Sequence, residues 1–90
     1  MTENVRTLKV AGSTDARKLA GSIVTCFEEG ASEVKLISIG AIALNQAIKG
    51  FIQAKGLTTP KGWKLNVDVN WSTLETSAGT TSALVSTITK

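Results

Sequence analysis

The chain has 90 residues, a formal net charge of +3 and an isoelectric point near 9.3. A chain of this length is expected to fold as one small domain, residues 1–90, that buries only about 60–65% of its unfolded surface. The mild basic excess favours weak attraction to polyanions, although a solvated, slightly basic surface explains it equally well.

Missing residue types exclude several classes of function. The sequence has no histidine, no tyrosine and one cysteine, so it lacks the commonest general base and any His/Cys metal cluster. We therefore expect no enzyme, no catalytic residue, no metal, no cofactor and no small-molecule substrate. No segment reaches the ~20 apolar residues of a membrane span, and Met1 to Arg6 is too polar for a signal peptide. The lone Cys26 fits a buried structural thiol in a reducing, cytoplasmic setting.

The first part of the chain predicts a strand followed by a helix. Alternating apolar residues indicate a strand over Val5 to Ala11. In the turn that follows, Ser13 or Thr14 can cap a helix, and Asp15 suits the positive end of the helix dipole. The apolar periodicity then predicts an amphipathic helix from Ala16 to Phe27.

A second strand and a second helix follow directly. The strand is predicted over Glu33 to Ile39, apolar on both faces, as expected for a strand covered on each side. The helix is predicted from Ala41 to Gly56, with large aliphatic residues on one arc and Ile42 among the polar residues. A stripe of small residues beside the aliphatic arc would allow close approach of another element: Ala43, Ala47, Gly50 and Ala54.

The last part of the chain predicts two strands joined by a hairpin. Strict alternation indicates a third strand from Trp63 to Trp71, with its apolar row in the core and Trp71 the expected exception at the strand end. Ser72 to Thr81 is predicted as the hairpin connection and Ala83 to Thr89 as the last strand.

This β-α-β-α-β-β order predicts an α/β fold, a two-layer sandwich with a mixed four-stranded sheet. Right-handed crossovers place both helices on one face, and the last strand runs antiparallel beside the third. The second strand would then expose an apolar side, which favours a homodimer that covers it. The small-residue stripe either joins that interface or holds the first helix close; the predicted interface residues are Ile42, Ala43, Ala47, Gly50 and Ala54.

Both helices begin at the carboxyl ends of parallel strands, so their first turns should be neighbours. Such edges commonly bind ligands, and free backbone N–H groups at helix N-termini favour anions such as phosphate. This arrangement predicts a phosphate-contacting surface, and its candidate nucleic-acid-binding residues are Arg17, Lys18, Asn45, Gln46, Lys49 and Lys61.

Several short segments resemble the stage V sporulation protein S family. The most specific is Ala43 to Lys49, which reads Ala-Leu-Asn-Gln-Ala-Ile-Lys, preceded by Ile39-Gly40-Ala41. The resemblance covers roughly Leu8 to Gly62. Supporting segments, in matching order and spacing, are Leu8-Lys9-Val10, Leu19-Ala20-Gly21, Gly30-Ala31, Ala54-Lys55-Gly56 and Pro60-Lys61-Gly62.

That family is similar to the Alba group, whose fold is β-α-β-α-β-β and whose members are usually dimeric and bind DNA or RNA. The resemblance implies a small homodimeric nucleic-acid-binding or regulatory protein of a bacterium or of a bacterial virus. The chain departs from the pattern, since Ile42 replaces a second glycine, the 11–15 turn lacks lysine, and the hairpin carries Glu75 without a cation. Two functions therefore stay open: phosphate-mediated nucleic-acid binding without strong sequence specificity, or a protein-interaction module that has lost that binding and uses Ile42 as its anchor.

Overall fold

A computed structural model of the protein describes residues 4–90; Met1 to Glu3, part of the polar N-terminal segment, lie outside the described residues. The elements are β1 (Val5–Val10), α1 (Ala16–Glu28), β2 (Glu33–Ser38), α2 (Ala41–Thr58), a 3₁₀ turn (Thr59–Lys61), β3 (Asn66–Thr76) and β4 (Gly79–Thr89). The sheet has the order β1-β2-β4-β3, with β1 parallel to β2 and β4 antiparallel to both of its neighbours. The predicted mixed four-stranded sheet is confirmed, and β4 lies between β2 and β3.

Both helices cover the same face of the sheet. Strand residues and helix residues form one buried cluster, so the sheet and the two helices share a single core. The central members are Ile23 and Phe27 of α1, Val34 and Leu36 of β2, Ala47, Phe51 and Ala54 of α2, and Ile88 of β4. The predicted two-layer α/β sandwich is therefore what the chain forms.

The opposite face of the sheet is largely polar. In β2, Val34, Leu36 and Ser38 are buried under the helices, whereas the alternate residues are half-exposed on the other side. One row across that open face pairs Thr7, Lys35, Thr87 and Asp68 in register. The prediction that β2 is apolar on both faces is wrong, because Glu33 and Lys35 share the open side with Ile37. The open face therefore does not itself require a covering subunit.

Helix α2 continues past Gly56, where the sequence predicts its end. The hydroxyl of Thr58 donates to the carbonyl oxygen of Ala54 at 3.0 Å, and that of Thr59 donates to Lys55 O at 2.8 Å. These bonds support the last turn, and the chain leaves the helix through the 3₁₀ turn. Gly62 then reverses the chain in the left-handed region with φ 77°, which costs glycine little.

The β3–β4 hairpin is longer than predicted. The strands pair from Asn66 with Thr89 up to Thr76 with Gly79, so only Ser77 and Ala78 form the turn. The turn lies within the predicted connection, Ser72 to Thr81, but it is far shorter than that connection. Threonine and serine fill this segment, and β-branched threonine fits a strand although it gives no apolar alternation.

Candidate nucleic-acid interface

The first turn of α1 is capped by Asp15 rather than by Ser13 or Thr14. Its carboxylate Oδ1 accepts hydrogen bonds from the backbone N–H groups of Arg17 at 2.8 Å and Lys18 at 3.3 Å. A carboxylate therefore holds the position where a phosphate oxygen would bind. The predicted anion site at the start of α1 is closed by the chain itself.

The first turn of α2 has no side-chain cap. Gly40 occupies the N-cap position with φ 88°, a conformation that favours glycine, and no side chain bonds to the N–H groups that follow. Ile42, 74% exposed, leans over the α1 loop: a Cβ built on Gly12 would lie 2.9 Å from its Cγ2. The predicted proximity of the two helix starts is therefore confirmed.

Gln46 connects α2 to the loop that precedes α1. Its Nε2 donates to the carbonyl oxygen of Thr14 at 2.7 Å, and the side chain is half-buried. The neighbouring Asn45 is exposed. In this structure the Gln46 amide nitrogen is engaged in a bond within the protein, while Asn45 is free to meet a ligand.

Three exposed cations lie in the N-terminal halves of the two helices. Arg17 and Lys18 lie in the first turn of α1, and Lys49 lies one turn beyond Gln46 on α2. The two ion pairs within residues 4–90 are both at the opposite end of α1 and involve none of these three. This group, Arg17, Lys18 and Lys49, is called the helix-start cations below.

Lys61 lies away from the helix-start cations. Its Nζ is 2.9 Å from Glu28 Oε2, at the last residue of α1. A helix of 13 residues is about 20 Å long, so Lys61 and Arg17 are at opposite ends of the molecule. Of the six residues predicted to bind nucleic acid, five thus lie in the N-terminal halves of the helices, and Lys61 is remote from them.

The small-residue stripe packs inside the protein. Ala43, Ala47 and Ala54 are at most 4% exposed, and Gly50 is buried against α1. A Cβ built on Gly50 would lie 2.6 Å from Leu19 Cδ2. The stripe is predicted either to join a dimer interface or to hold α1 close. It holds α1 close, and its burial leaves no surface there for another copy of the chain. Ile42 is the one predicted interface residue that is exposed.

An apolar surface lies on the other side of α2. Ile48 and Ile52 are about 160° or more from Gly50 around the helix axis at about 100° per residue, so they face away from α1. Ile48 is half-buried and Ile52 is 59% exposed. The helical wheel groups both with Phe51, but only Phe51 enters the core.

Strand β3 carries a second pair of exposed apolar residues. Val69 and Trp71 are paired through β4 with the helix-covered positions Leu36 and Ser38, so they point toward the helix layer. They are nevertheless 40% and 77% exposed, which means that the helices do not reach over the upper part of β3. The predicted core row therefore ends at Val67, with Trp71 exposed as expected. We call Ile48, Ile52, Val69 and Trp71 the apolar flank.

Within residues 4–90, no three His, Cys, Asp or Glu side chains are grouped closely enough to hold a metal ion. Neither of the two described helices is long and apolar enough to cross a lipid bilayer.

The sheet order and the two helices on one face define an Alba-like α/β sandwich. The solved structure of Alba from Thermoplasma volcanium superposes with a TM-score of 0.62, covering 97% of this chain and 100% of that chain at 15% sequence identity. At that identity the likeness is one of fold. A family model described as Stage V sporulation protein S (SpoVS) matches residues 6–90, and the chain belongs to this family. A search of curated protein sequences gave no significant match.

Proposed function

We propose that this protein binds DNA or RNA through phosphates, without strong sequence specificity, in a regulatory role related to that of its sporulation-protein family. The observation that carries the proposal is the group of helix-start cations, which are exposed and lie in the N-terminal halves of the two helices. Asn45 adds an exposed amide beside them. This is a binding role rather than a catalytic one, and the free thiol of Cys26 suits a cytoplasmic location.

Binding of this kind is weak at physiological salt. Asp15 closes the start of α1 to phosphate, and the hairpin contributes Glu75 and no cation. Three neutralised duplex phosphates give a log–log salt slope of about −2.7 for each protomer, at about −0.9 per phosphate. Sequence readout needs side chains that reach base edges, whereas cations on a helix surface contact the backbone alone.

A homodimer is part of the proposal. The apolar flank consists of two isoleucines of α2 together with a valine and a tryptophan of β3, and in the proposed dimer a second copy of the chain covers them symmetrically. Such a dimer would use the side of α2 opposite to the small-residue stripe. Doubling the helix-start cations would also raise the affinity for a polyanion.

The test is a salt titration of binding to duplex DNA and to RNA, on protein whose mass is measured by light scattering. The variant Arg17→Gln/Lys18→Gln/Lys49→Gln should lose most of the salt dependence. A matched control is Lys35→Gln, which removes a cation from the open face of the sheet. Absence of binding to both nucleic acids in low salt, or a flat titration, would overturn the proposal.

A second candidate is a protein-interaction module, which the 74% exposure of Ile42 favours. An exposed isoleucine between the starts of two helices is an apolar anchor that a partner surface can cover. In this case Ile42→Asp abolishes self-association or partner association while circular dichroism shows an intact fold. Unchanged association of that variant would remove the main support for this function.

A further inference from the structure

We propose that a cleft beside Trp63, at the opposite end of the molecule from the helix starts, binds a nucleotide: an aromatic base that carries a phosphate. Trp63 follows the 3₁₀ turn and lies half-buried before β3. Its ring meets Phe27 of α1 edge to face, with centroids 6.5 Å apart and an angle of 68°. The core therefore fixes the indole in place while part of it stays accessible.

Two lysines contact this indole, and two more belong to the cleft beside it. The Nζ atoms of Lys90 and Lys61 lie 4.0 and 5.4 Å from the centroid of the Trp63 ring, within the range of cation–π attraction. Lys55 and Lys64 belong to the wall of the adjoining cleft. Four of the ten lysines and arginines of the chain thus lie either on the indole or in the wall of the cleft beside it.

Negative charge is scarce at this point. Among the described residues, the cleft wall has no carboxylate, and of the four lysines only Lys61 has a carboxylate within 4.0 Å, that of Glu28. Like charges held close together repel one another. A bound phosphate would relieve this repulsion and accept charge-assisted hydrogen bonds from the ammonium groups of Lys55 and Lys64.

The cleft also has the composition that a nucleotide needs. Its volume is about 440 Å³, and small-molecule sites are commonly about 300–1,000 Å³. Trp63 and Leu65 give it an apolar wall, and Asn66 and Thr59 add polar groups at its edge. Inorganic phosphate would use the lysines alone, whereas a base bearing a phosphate would also stack on the indole. To do so it must displace the Lys90 ammonium, which lies 4.0 Å from the ring centroid.

This site is separate from the helix-start cations, and its occupant can come from two sources. A free nucleotide presents the required chemistry, and so does one base of a single-stranded nucleic acid. Loss of the helix-start cations leaves the Trp63 cleft unchanged, so the two proposals can fail independently.

The experiment uses the full chain with Trp71→Phe, which leaves Trp63 as the only indole. Adenosine monophosphate, adenosine, inorganic phosphate and a short single-stranded oligoadenylate are titrated while Trp63 fluorescence is recorded. We expect saturable quenching by the monophosphate or the oligonucleotide, and weaker binding of adenosine and of phosphate. Lys55→Gln and Lys64→Gln should each weaken binding about 5- to 10-fold, while the control Lys35→Gln leaves it unchanged.

The titrations distinguish a free nucleotide from a single strand, and both of these from the absence of a site. Quenching by the monophosphate identifies a free nucleotide as sufficient, and quenching by the oligonucleotide alone identifies a single strand; both support the site. No saturable quenching by either overturns the proposal. Equal weakening by Lys35→Gln also overturns it, because the effect would then reflect net charge, and equal binding of inorganic phosphate would exclude the base from the site.

Discussion

Leu19 of α1 lies directly against Gly50 of α2, so closely that a Cβ on residue 50 would be 2.6 Å from Leu19 Cδ2 and 2.9 Å from its Cγ. Gly50→Val should therefore lower the free energy of unfolding by about 1–3 kcal/mol through overpacking. Urea denaturation followed by circular dichroism measures this. The matched control is Gly56→Val, which is exposed and has nothing within 4 Å of an added Cβ, and it should change stability by less than about 0.5 kcal/mol. Equal effects at the two glycines would contradict close packing.

Asp15 both stabilises α1 and opposes anions at its start. Asp15→Ala removes the acceptor for two backbone N–H groups and should cost about 1 kcal/mol of unfolding free energy. Asp15→Asn keeps a capping oxygen but removes the charge, so stability should hold while nucleic-acid affinity at low salt rises about 2- to 5-fold. Thermal unfolding and fluorescence anisotropy measure the two effects. Unchanged affinity of Asp15→Asn at low salt would show that the nucleic acid does not approach the start of α1.

Gln46 should contribute to the stability of the fold and not to the binding of nucleic acid. Gln46→Met keeps the length of the side chain but loses the bond to Thr14 O, which should cost about 1 kcal/mol. Asn45→Met, at the exposed neighbouring position, should alter stability by less than about 0.5 kcal/mol. The salt slope of nucleic-acid binding should stay the same in Gln46→Met. A reduced slope would instead assign Gln46 to the binding surface.

The apolar flank predicts how the oligomer responds to charge. Trp71→Lys and Ile52→Lys each place an ammonium group in the proposed dimer interface, and desolvating an unpaired charge there should shift the protein to monomer. Leu57→Lys is the control, since Leu57 is 53% exposed on α2 but about 140° from Ile52 around the helix axis. Light scattering at several concentrations gives the mass. One common mass for all three variants would rule out this interface.

Most of the fold follows from sequence periodicity. The order of the elements, the amphipathic face of α1 and the location of both helices on one side of the sheet all agree with the structure. The hairpin length does not, because the Ser- and Thr-rich ends of β3 and β4 satisfy their hydrogen bonds in the ladder without showing apolar alternation. Likewise, Gly56 is typical of a helix end, and the threonine hydroxyls that extend α2 act through local hydrogen bonds that periodicity does not reveal.

The candidate site was harder to predict. The sequence places Arg17, Lys18 and Lys49 near the helix starts, but it cannot show that Asp15 closes the first turn of α1 or that Lys61 lies at the other end. The small-residue stripe predicts close packing without naming the partner, because alanine and glycine suit a helix–helix contact within one chain as well as between two. Exposure of Val69 and Trp71 depends on how far the helix layer extends, which is a tertiary property.

The hairpin described above has a consequence for hydrogen exchange. Beyond Leu84, the last β4 residue that pairs with β2, the hairpin continues to its turn as a two-stranded ribbon. Its amides are held by one neighbouring strand only, so they should exchange with solvent sooner than those of Leu36 and Ile88, which lie in the four-stranded part. The arm can therefore open or bend while the sheet beneath it stays intact, and slowed exchange on ligand binding would report which partner rests against it.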